Sequence, residues 1–576
     1  MKRLLSCIFV LFMVLSLMQI KPIAAETVIE CTDENDILEA LAKEEEETSI
    51  SLGNDITLTN TLVIPEGKTF IIYLNEKTLH TPSREDDYDG IRVDGKLVLY
   101  DKLDKTLGNG LIEGTAKAGI DEMISMGRIV NVSPNGTFDF YSGKMRNGYH
   151  SYNGGCVNND GTFNFYDNAQ IYASKAAFCG GGVCNAGTMN MLGGYISGCD
   201  AHVGGGLYCY RYSKTNIEYG GITLCTCGET GAGVYCDDYA ELNIVNDGTK
   251  AFEVNRGVAK YIAGGIAISP DCKVKMIGNI QITNNYAEKC AGIVNGAGAD
   301  NLEIGGDLVV NNNSSAPGES DQNNIGIMSD STIKIVEPLG TASKIGFHLD
   351  EFTTGYTVIS SGASEEYITS GKLFADFDGD TLYHEDGKAL LDLEKFTVSF
   401  ETFGGTEIPD QQVERYRFAS VPENPTKADY LFGSWMIKED DGIYSDIDLE
   451  SHHINKDLTV YARWNYPIIK GDKVEWPQKS NNGIEIVSDG PYEKCIGINF
   501  LFEFIAKEDI GKYADFLELK EAPDGKSSLT IKKEILDMMD MERHYVDILF
   551  EDNMRSETYF TIVKAKEYIV PDTSCR

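Results

Sequence analysis

The sequence is poor in basic residues. It has 50 Lys and Arg against 89 Asp and Glu, which gives a formal net charge of −39 at pH 7. Such a chain repels nucleic-acid phosphates instead of neutralising them, which argues against a nucleic-acid partner. Acidic polymers are disfavoured for the same reason unless cations bridge them.

Long apolar runs are missing after the amino terminus. The first 25 residues, MKRLLSCIFVLFMVLSLMQIKPIAA, place Lys2 and Arg3 before an apolar run, which is the pattern of a secretory signal peptide cleaved near Ala25. No later stretch approaches the roughly 20 apolar residues that a membrane helix needs. We therefore expect an exported protein, extracellular or in the cell envelope, without a transmembrane anchor.

Helical spacing is absent from the centre of the chain, where a module recurs with a period of roughly 26 residues. Alternating pairs such as Phe138 and Phe140 put one side chain inward and the next outward. A repeat that cannot bury its apolar face alone must stack on its neighbours, and short strands in each turn predict a right-handed parallel β-helix. The copies include GRIVNVSPNGTFDFYSG from Gly127, GGCVNNDGTFNFYDN from Gly154, GGGVCNAGTMNMLGG from Gly180 and GAGVYCDDYAELNIV from Gly231.

The β-helix is expected to fill residues 51–392. About 13 rungs at a strand spacing of ~4.8 Å would make a rod of roughly 60 Å. The strand edges at its first end need a cover, and residues 26–50 offer one, because Thr32-Asp33-Glu34-Asn35 can cap a short amphipathic helix. The segment FADFDGDTLYHEDGKALLDL predicts a hairpin that closes the other end.

Cysteine is abundant, with 14 residues that lie mostly in the repeats. Cys199 with Cys225, and Cys209 with Cys236, occupy equivalent positions in successive rungs, where stacking brings Cα atoms within disulfide range. We expect free thiols that fill ladder positions as small hydrophobes. Some disulfides, or a metal site that uses Cys225 and Cys227, are the alternatives.

Outside the cysteines, the sequence offers few groups of residues that are suited to bind a metal. The acidic segment at 376–380 looks like part of a calcium loop, but Gly387 stands where an EF-hand needs its bidentate Glu. The pair His452-His453 has no Cys or third His nearby in sequence. We expect no cofactor, with calcium as the alternative at the acidic segment.

The glycine-rich repeat pattern ends before residues 394–465, and a different pattern of strands and turns follows. Strands flank Gly404-Gly405, a Pro-Thr-Lys turn occupies 425–427, an aromatic run ends at Trp435, and Leu-Thr-Val-Tyr-Ala-Arg-Trp closes the segment at 458–464. This order resembles the Listeria-Bacteroides repeat, also called the internalin B-repeat, of bacterial surface proteins. The resemblance implies a small β-grasp fold in an exported cell-envelope protein, with no catalytic residues.

Two further segments resemble known modules. Residues 466–576 alternate as short strands around one helical turn and resemble the immunoglobulin-like modules, with a β-sandwich fold, that end many Gram-positive exported proteins. The glycine-rich repeats resemble the pectin-lyase-like β-helices of bacterial surface proteins. Together the resemblances imply an all-β protein of the cell surface.

A β-helix also carries polysaccharide lyases and glycoside hydrolases, so paired carboxylates matter. Asp200 and His202 precede a glycine triplet, and Asp237 and Asp238 stand one rung later. The motif order of the hydrolases and a recognisable lyase base are both missing. These four residues are therefore candidates only for the alternative function, a polysaccharide-active enzyme.

The same rungs carry outward tyrosines beside polar groups, a pattern typical of glycan-binding faces. We expect a non-catalytic exported surface protein, an adhesin or binding stalk, that acts as a monomer. Its partner would be a glycan or a host or cell-wall protein, and a purely structural stalk is a third interpretation. The candidate binding residues are Tyr208, Tyr210, Tyr212, Tyr235 and Tyr239.

Overall fold

The computed structural model divides the chain into two compact units, Met1–Leu393 and Glu394–Arg576. The predicted signal peptide, Cys7 and Cys575 lie outside the residues that the structure describes. Those described residues are 27–565, except 84–87, 107, 115–126, 297, 299–300, 329–330, 350–355, 441 and 552–553.

The first unit is built from short parallel strands that stack rung upon rung, which confirms the predicted all-β class. Its described strands include a 33-stranded sheet whose members pair with the equivalent strands of the neighbouring rungs. The arrangement is consistent with a right-handed parallel β-helix, the hand that parallel crossovers adopt. The strands fall into three columns, with a lateral column added beside the middle rungs.

The first column contains Leu62–Ile64, Asp89–Val93, Arg128–Val132, Val157–Asn159, Val183–Asn185, Leu207–Cys209, Val234–Cys236, Ile266–Ile268, Ile293–Asn295 and Ile325–Ile327. The second column contains Val28–Cys31, Glu47–Leu52, Thr69–Tyr73, Lys96–Tyr100, Glu241–Val245, Lys273–Ile277, Leu302–Gly306, Ile333–Leu339 and Thr357–Ser361. The third column contains Ile56–Thr57, Thr78–His80, Leu111–Glu113, Phe252–Asn255, Ile280–Thr283, Leu308–Asn311, Lys344–His348 and Leu373–Ala375.

Long strands run through the second and third columns in the middle rungs, with register shifts where they bend: Thr137–Arg146, Thr162–Tyr172, Thr188–Ser197 and Lys214–Thr223. The lateral column is a separate five-stranded sheet made of Tyr149–His150, Lys175–Ala176, Asp200–Val203, Thr226–Thr230 and Val258–Ala259.

Both ends of the stack are covered. Helix Glu34–Leu41 is capped by Asp33, whose side chain accepts a hydrogen bond from the Asp36 backbone N–H, and it buries Ile37 and Ala40 on the core. Stacking begins at Val28–Cys31, ahead of the boundary at residue 51 that the sequence suggested, because this strand already pairs in parallel with Glu47–Leu52. At the other end Thr381–Glu385 and Lys388–Asp392 form the predicted hairpin beside the short helix Glu365–Thr369.

The core is the interior of the three columns. The inward positions bury Phe138, Phe140, Phe163 and Phe165 completely, and the rings of Phe138 and Phe163 stack with their centroids 5.1 Å apart. Because equivalent residues meet in register, each inward side chain packs on its counterparts above and below. The predicted inward residues are therefore confirmed as a continuous apolar core.

Asparagine side chains form hydrogen-bonded ladders that end on carboxylates. Each amide donates to the side-chain oxygen of the next member of its ladder, and the last donates to an Asp, which as an anion only accepts. One ladder runs Asn243, Asn216, Asn190, Asn164 and Asp139, with N–O distances between 2.6 and 3.2 Å. A second runs Asn285, Asn313, Asn324 and Asp376, with distances between 2.7 and 3.0 Å.

The cysteines are buried ladder residues. Every cysteine in the described part of the chain is buried, and the ladder cysteines Cys199, Cys209, Cys225 and Cys236 have free thiols. Cys209 lies opposite Cys236 in the first column, and burial raises the pKa of the Cys209 thiol to about 12. Cys225 Sγ donates to the Thr223 carbonyl oxygen at 3.4 Å. No group of three His, Cys, Asp or Glu side chains suited to a metal occurs among the described residues.

The second unit begins with a small mixed sheet around Val398, Trp435 and Trp464. Its strands are Lys395–Glu401, Gln411–Glu414, Leu431–Lys438, Tyr444–Asp446 and Leu458–Asn465. This sheet continues into the following strands through a parallel pairing of Asn465 with Arg555. Arg463 bridges the same junction, because its guanidinium donates to both oxygens of Asp446 at 2.6 and 2.9 Å and contacts Glu557 at 3.4 Å.

The rest of the second unit is a β-sandwich-like pair of sheets around an apolar core that includes Trp476, Leu529 and Phe560. One sheet contains Val474–Pro477, Cys495–Phe500, Glu503–Ala506, Arg543–Phe550 and Arg555–Val563. The other contains Ile468–Lys470, Ile484–Pro491, Leu517–Glu521 and Lys526–Ile531. Short helical segments occupy Tyr492–Lys494, Lys507–Tyr513, Pro523–Gly525 and Lys533–Leu536.

The thiols should be inert in the folded protein. Only thiolates react quickly, and burial disfavours the thiolate. Titration with Ellman's reagent should therefore detect few thiols in the native protein and all of the described cysteines after denaturation in guanidinium without reductant. A denatured sample that remains almost free of reactive thiols would show that the ladder positions are oxidised instead.

Asp376 should make the stability of the β-helix depend on pH. Burial raises the pKa of this carboxyl to about 6, although Asn324 donates two hydrogen bonds to it. An acid with a raised folded-state pKa destabilises the fold once it ionises, so the cost is absent below about pH 4 and complete above about pH 6.

The substitution Asp376→Asn removes this ionisation. The free energy of unfolding of the variant, relative to the natural protein, should rise by about 2 kcal/mol between about pH 4 and pH 7, a value reduced for partial solvent screening. Denaturant unfolding followed by circular dichroism at both pH values measures the difference. An offset that stays constant with pH would contradict the assignment.

Candidate functional site

A groove runs along the first unit between the first column and the lateral column, and we call it the lateral groove. The lateral column forms one wall. The turns that follow the first-column strands form the other. The floor is the outward row of the first column, whose members stand in parallel register: Asn158, Cys184, Tyr208, Tyr235, Ala267 and Val294.

Glycines bring the two columns together. Gly180 and Gly204 open successive repeats with φ of 69° and 64°, a left-handed conformation that turns the chain out of the lateral column. A Cβ on the following glycine would meet a carbonyl oxygen of the lateral column, at 2.3 Å for Gly181 and 2.1 Å for Gly205. The glycine runs seen in the sequence therefore allow the close approach that forms the groove.

The lateral groove contains two cavities. The polar end holds about 340 Å³ and is lined by residues that include Arg128, His150, Asp160 and Tyr210. The apolar end holds about 460 Å³, and its lining includes Tyr235, Ile262, Ala267, Pro270, Val294 and Met328. Between them Cys179, Cys184 and Tyr208 pack as a small apolar cluster that continues the floor.

The predicted tyrosines form two parallel stacks. Tyr208 and Tyr235 stack with their centroids 5.1 Å apart and 8° between the ring planes, and Tyr208 is buried in the floor. Tyr212 and Tyr239 stack at 5.3 Å and 7° on the rim, where they are 77% and 49% exposed. Tyr210 is also exposed and lines the polar cavity.

The rim pair is held in an unfavourable backbone conformation. Tyr212 and Tyr239 have φ of 62° and 61°. This left-handed region suits Gly and Asn, and a bulky side chain there costs of the order of 1 kcal/mol. Each tyrosine thus keeps its ring at the rim against a local preference for another residue.

The carboxylates Asp237 and Asp238 lie beside these rings, after the first-column strand Val234–Cys236. Tyr208 donates its hydroxyl to Asp237 at 3.1 Å, and Arg211 reaches Asp238 at 2.6 Å and Asp237 at 3.6 Å. The charges of the two Asp residues raise the pKa of Arg211. Burial, together with Asp237, raises the pKa of Tyr208.

Asp200 and His202 lie on the lateral column, so the four enzyme candidates sit on opposite walls. Asp200 pairs with Lys175 at 2.8 Å and accepts a hydrogen bond from Thr226 at 2.7 Å. His202 Nε2 lies 3.0 Å from Glu229. Each candidate acid is thus engaged by a neighbour on its own wall.

One aromatic ladder was missed in the sequence. Tyr152 and Phe178 stack at 5.4 Å and 7° along the lateral wall, and the His202 ring follows at 6.1 Å from Phe178. Their spacing matches the period of the repeat, which is the signal that identifies them. Both rims of the lateral groove therefore carry stacked rings.

The comparisons with known proteins concern the second unit and a short part of the chain. The sequence model of the Listeria-Bacteroides repeat domain matches residues 396–463. This segment is a Listeria-Bacteroides repeat. A putative Gly-rich membrane protein of Evansella cellulosilytica is 24% identical over 111 residues, which are 19% of this chain and 12% of that protein. No solved structure matches.

The Listeria-Bacteroides repeat offers few reactive groups. His453 Nδ1 lies 2.8 Å from the Tyr416 carbonyl oxygen and its ring packs on Phe418, which gives it a structural place. The indole N–H of Trp464 donates to the Thr402 carbonyl oxygen at 2.9 Å. No helix in the described part of the chain is long and apolar enough to cross a membrane.

The groove should be sensitive to a single methyl group at its glycine corner. Gly205→Ala places a Cβ against the Thr226 carbonyl oxygen, and overpacking of this kind costs about 1–3 kcal/mol. Thermal unfolding should show the loss, and hydrogen exchange should rise in the lateral column. Gly511→Ala, where a Cβ meets nothing within 4 Å, is the control. Equal stability of the two variants would contradict the close approach.

Proposed function

We propose that this protein is an exported surface protein whose β-helix holds a glycan chain lengthwise in the lateral groove. The stacked tyrosines Tyr212 and Tyr239 carry the proposal. Exposed rings that stack in parallel along the rim of a groove, each on a strained backbone, fit a binding role better than a packing role.

The groove has the chemistry that a sugar chain needs. Flat ring faces pack against the apolar faces of sugar rings, and the Asp237 and Asp238 carboxylates with the Arg211 guanidinium offer hydrogen-bond partners to hydroxyl groups. The tyrosine pairs recur on two successive rungs, so two consecutive sugars would meet similar rings. The net charge of −39 favours a neutral or amine-bearing glycan over a polyuronide.

The other segments support a place at the cell surface. The Listeria-Bacteroides repeat gives the chain a module found in surface proteins, and the similar segment of the Evansella protein belongs to a protein described as a membrane protein. In this proposal residues 1–25 direct export, 26–50 cap the stack, 51–392 form the binding β-helix, 394–465 are the repeat, and 466–576 are an immunoglobulin-like module. The repeat and the final module would act as spacer or attachment.

Removing the rim rings should weaken glycan binding without unfolding the protein. The double variant Tyr212→Asn/Tyr239→Asn deletes both rings and inserts a residue that tolerates the left-handed backbone. At about 1 kcal/mol per ring, affinity should fall roughly 30-fold. A glycan array, followed by calorimetry on the retained glycan, measures the loss.

Tyr195→Asn is the matched control, because Tyr195 is an exposed tyrosine of the third-column face outside the groove. Equal binding by the natural protein and the rim variant would refute the rim as the site. Reducing ends or unsaturated products released from the retained glycan would instead favour the polysaccharide-active enzyme, and Asp237→Asn would then be the variant to assay.

A further inference from the structure

We propose that the tip of the β-sandwich in the second unit is a docking site for a basic amphipathic segment of another protein. The tip is the turn at Leu501 and Phe502 between the strands Cys495–Phe500 and Glu503–Ala506. It shares no residue with the lateral groove and does not depend on glycan binding.

The residues of this turn are unfavourable for its backbone conformation. Phe500 pairs with Glu503, so Leu501 and Phe502 form a two-residue hairpin loop, and their φ values are 54° and 65°. Two successive positive φ values define a type I′ turn, which strongly prefers Asn-Gly. A Leu-Phe pair costs about 1 kcal/mol or more at each position, and the structure gains no packing from Phe502, which is 100% exposed.

The exposed Phe502 belongs to a larger apolar surface, which we call the tip patch. The patch surrounds a cavity of about 860 Å³ between the outer face of the sheet and the loop that follows the helix Lys533–Leu536. Its exposed apolar members are Leu501, Phe502, Phe504, Met538 and Tyr545. Exposed aromatic and methionine side chains around a concavity are typical of protein-binding surfaces, because methionine adapts its shape to the partner.

The charges around the patch define the partner. Glu503, Asp540 and Glu542 are exposed acids at or beside the cavity. Arg543 also lines the cavity, and its guanidinium carbon lies 4.2 Å from the centroid of the Tyr559 ring. A partner that buries apolar side chains in the patch therefore meets a rim of carboxylates, which favours Lys and Arg on its polar face.

Other occupants are less favourable on electrostatic grounds. An anionic bilayer would repel a chain with a net charge of −39, and a second copy of the chain carries the same charge. The negative charge of this chain attracts a cationic segment whenever the two lie within the Debye screening length. The segment is amphipathic because the patch is apolar at its centre and acidic at its edge.

The test uses the full-length protein and a defined probe, a fluorescein-labelled 18-residue Lys/Leu peptide with helical spacing. Its Glu/Leu counterpart is the charge control. The key variant is Leu501→Asn/Phe502→Gly, which installs the residues that a type I′ turn prefers and should fold at least as stably as the natural protein. Ile469→Asn removes a half-exposed apolar side chain from the same unit outside the patch and is the matched control.

Fluorescence anisotropy should show that the Lys/Leu peptide binds the natural protein and the Ile469→Asn variant alike. The turn variant should bind at least tenfold more weakly, and Asp540→Asn/Glu542→Gln should bind more weakly and with less dependence on salt. Equal binding by the turn variant would overturn the proposal. So would Glu/Leu binding as strong as that of the Lys/Leu peptide.

Two further measurements address the other occupants. Flotation with phosphatidylglycerol vesicles should recover no protein, and sedimentation equilibrium should give the mass of a monomer. Vesicle binding or self-association that disappears in the turn variant would overturn the proposal in favour of a membrane or a second copy. Loss of glycan binding in the rim variant of the β-helix leaves the peptide result unchanged, so the two proposals fail separately.

Discussion

The structure of the first unit depends on the in-register stacking of equivalent side chains from one rung to the next. Phenylalanine rings, cysteine thiols and asparagine amides each repeat along the stack, so a single residue type at one position contributes to several contacts at once. The energetic consequence is that each rung depends on its neighbours. The same rule places Tyr212 over Tyr239 and Tyr152 over Phe178, and so builds the rims of the groove as well as the core.

The two proposed sites share one structural feature: each has bulky residues at positions where the backbone conformation favours Gly or Asn. Tyr212 and Tyr239 on the β-helix, and Leu501 and Phe502 on the sandwich, all have positive φ and exposed side chains. Local strain without compensating burial is a cost that the fold does not require. Each site therefore links an observed backbone outlier to a surface that is chemically suited to a ligand, a glycan in one case and a basic peptide in the other.

Much of the fold was predictable because its determinants are periodic. The repeat of Phe and Met pairs predicted the stacked strands. The Pro-Thr-Lys turn and the aromatic run predicted a Listeria-Bacteroides repeat over 394–465, and the sequence model of that family matches 396–463. The lateral column was not predicted, because strands of two residues such as Tyr149–His150 carry no alternation. The sequence also did not predict the burial of Tyr208, because an outward position on the first column does not reveal that the lateral column lies opposite. The tip patch was missed because the turn at Leu501 and Phe502 has neither the Asn nor the Gly that marks a two-residue hairpin loop in a sequence.

The lengthwise groove is tested most directly by hydrogen–deuterium exchange of the natural protein, with and without the glycan that it retains. A ligand lying across the rungs should slow exchange together in Leu207–Cys209 and Val234–Cys236 of the first column and in Asp200–Val203 of the lateral column. The third-column part of Thr188–Ser197, which carries Tyr195, should exchange at the same rate in both samples. Protection confined to the third column or to the second unit would contradict the account.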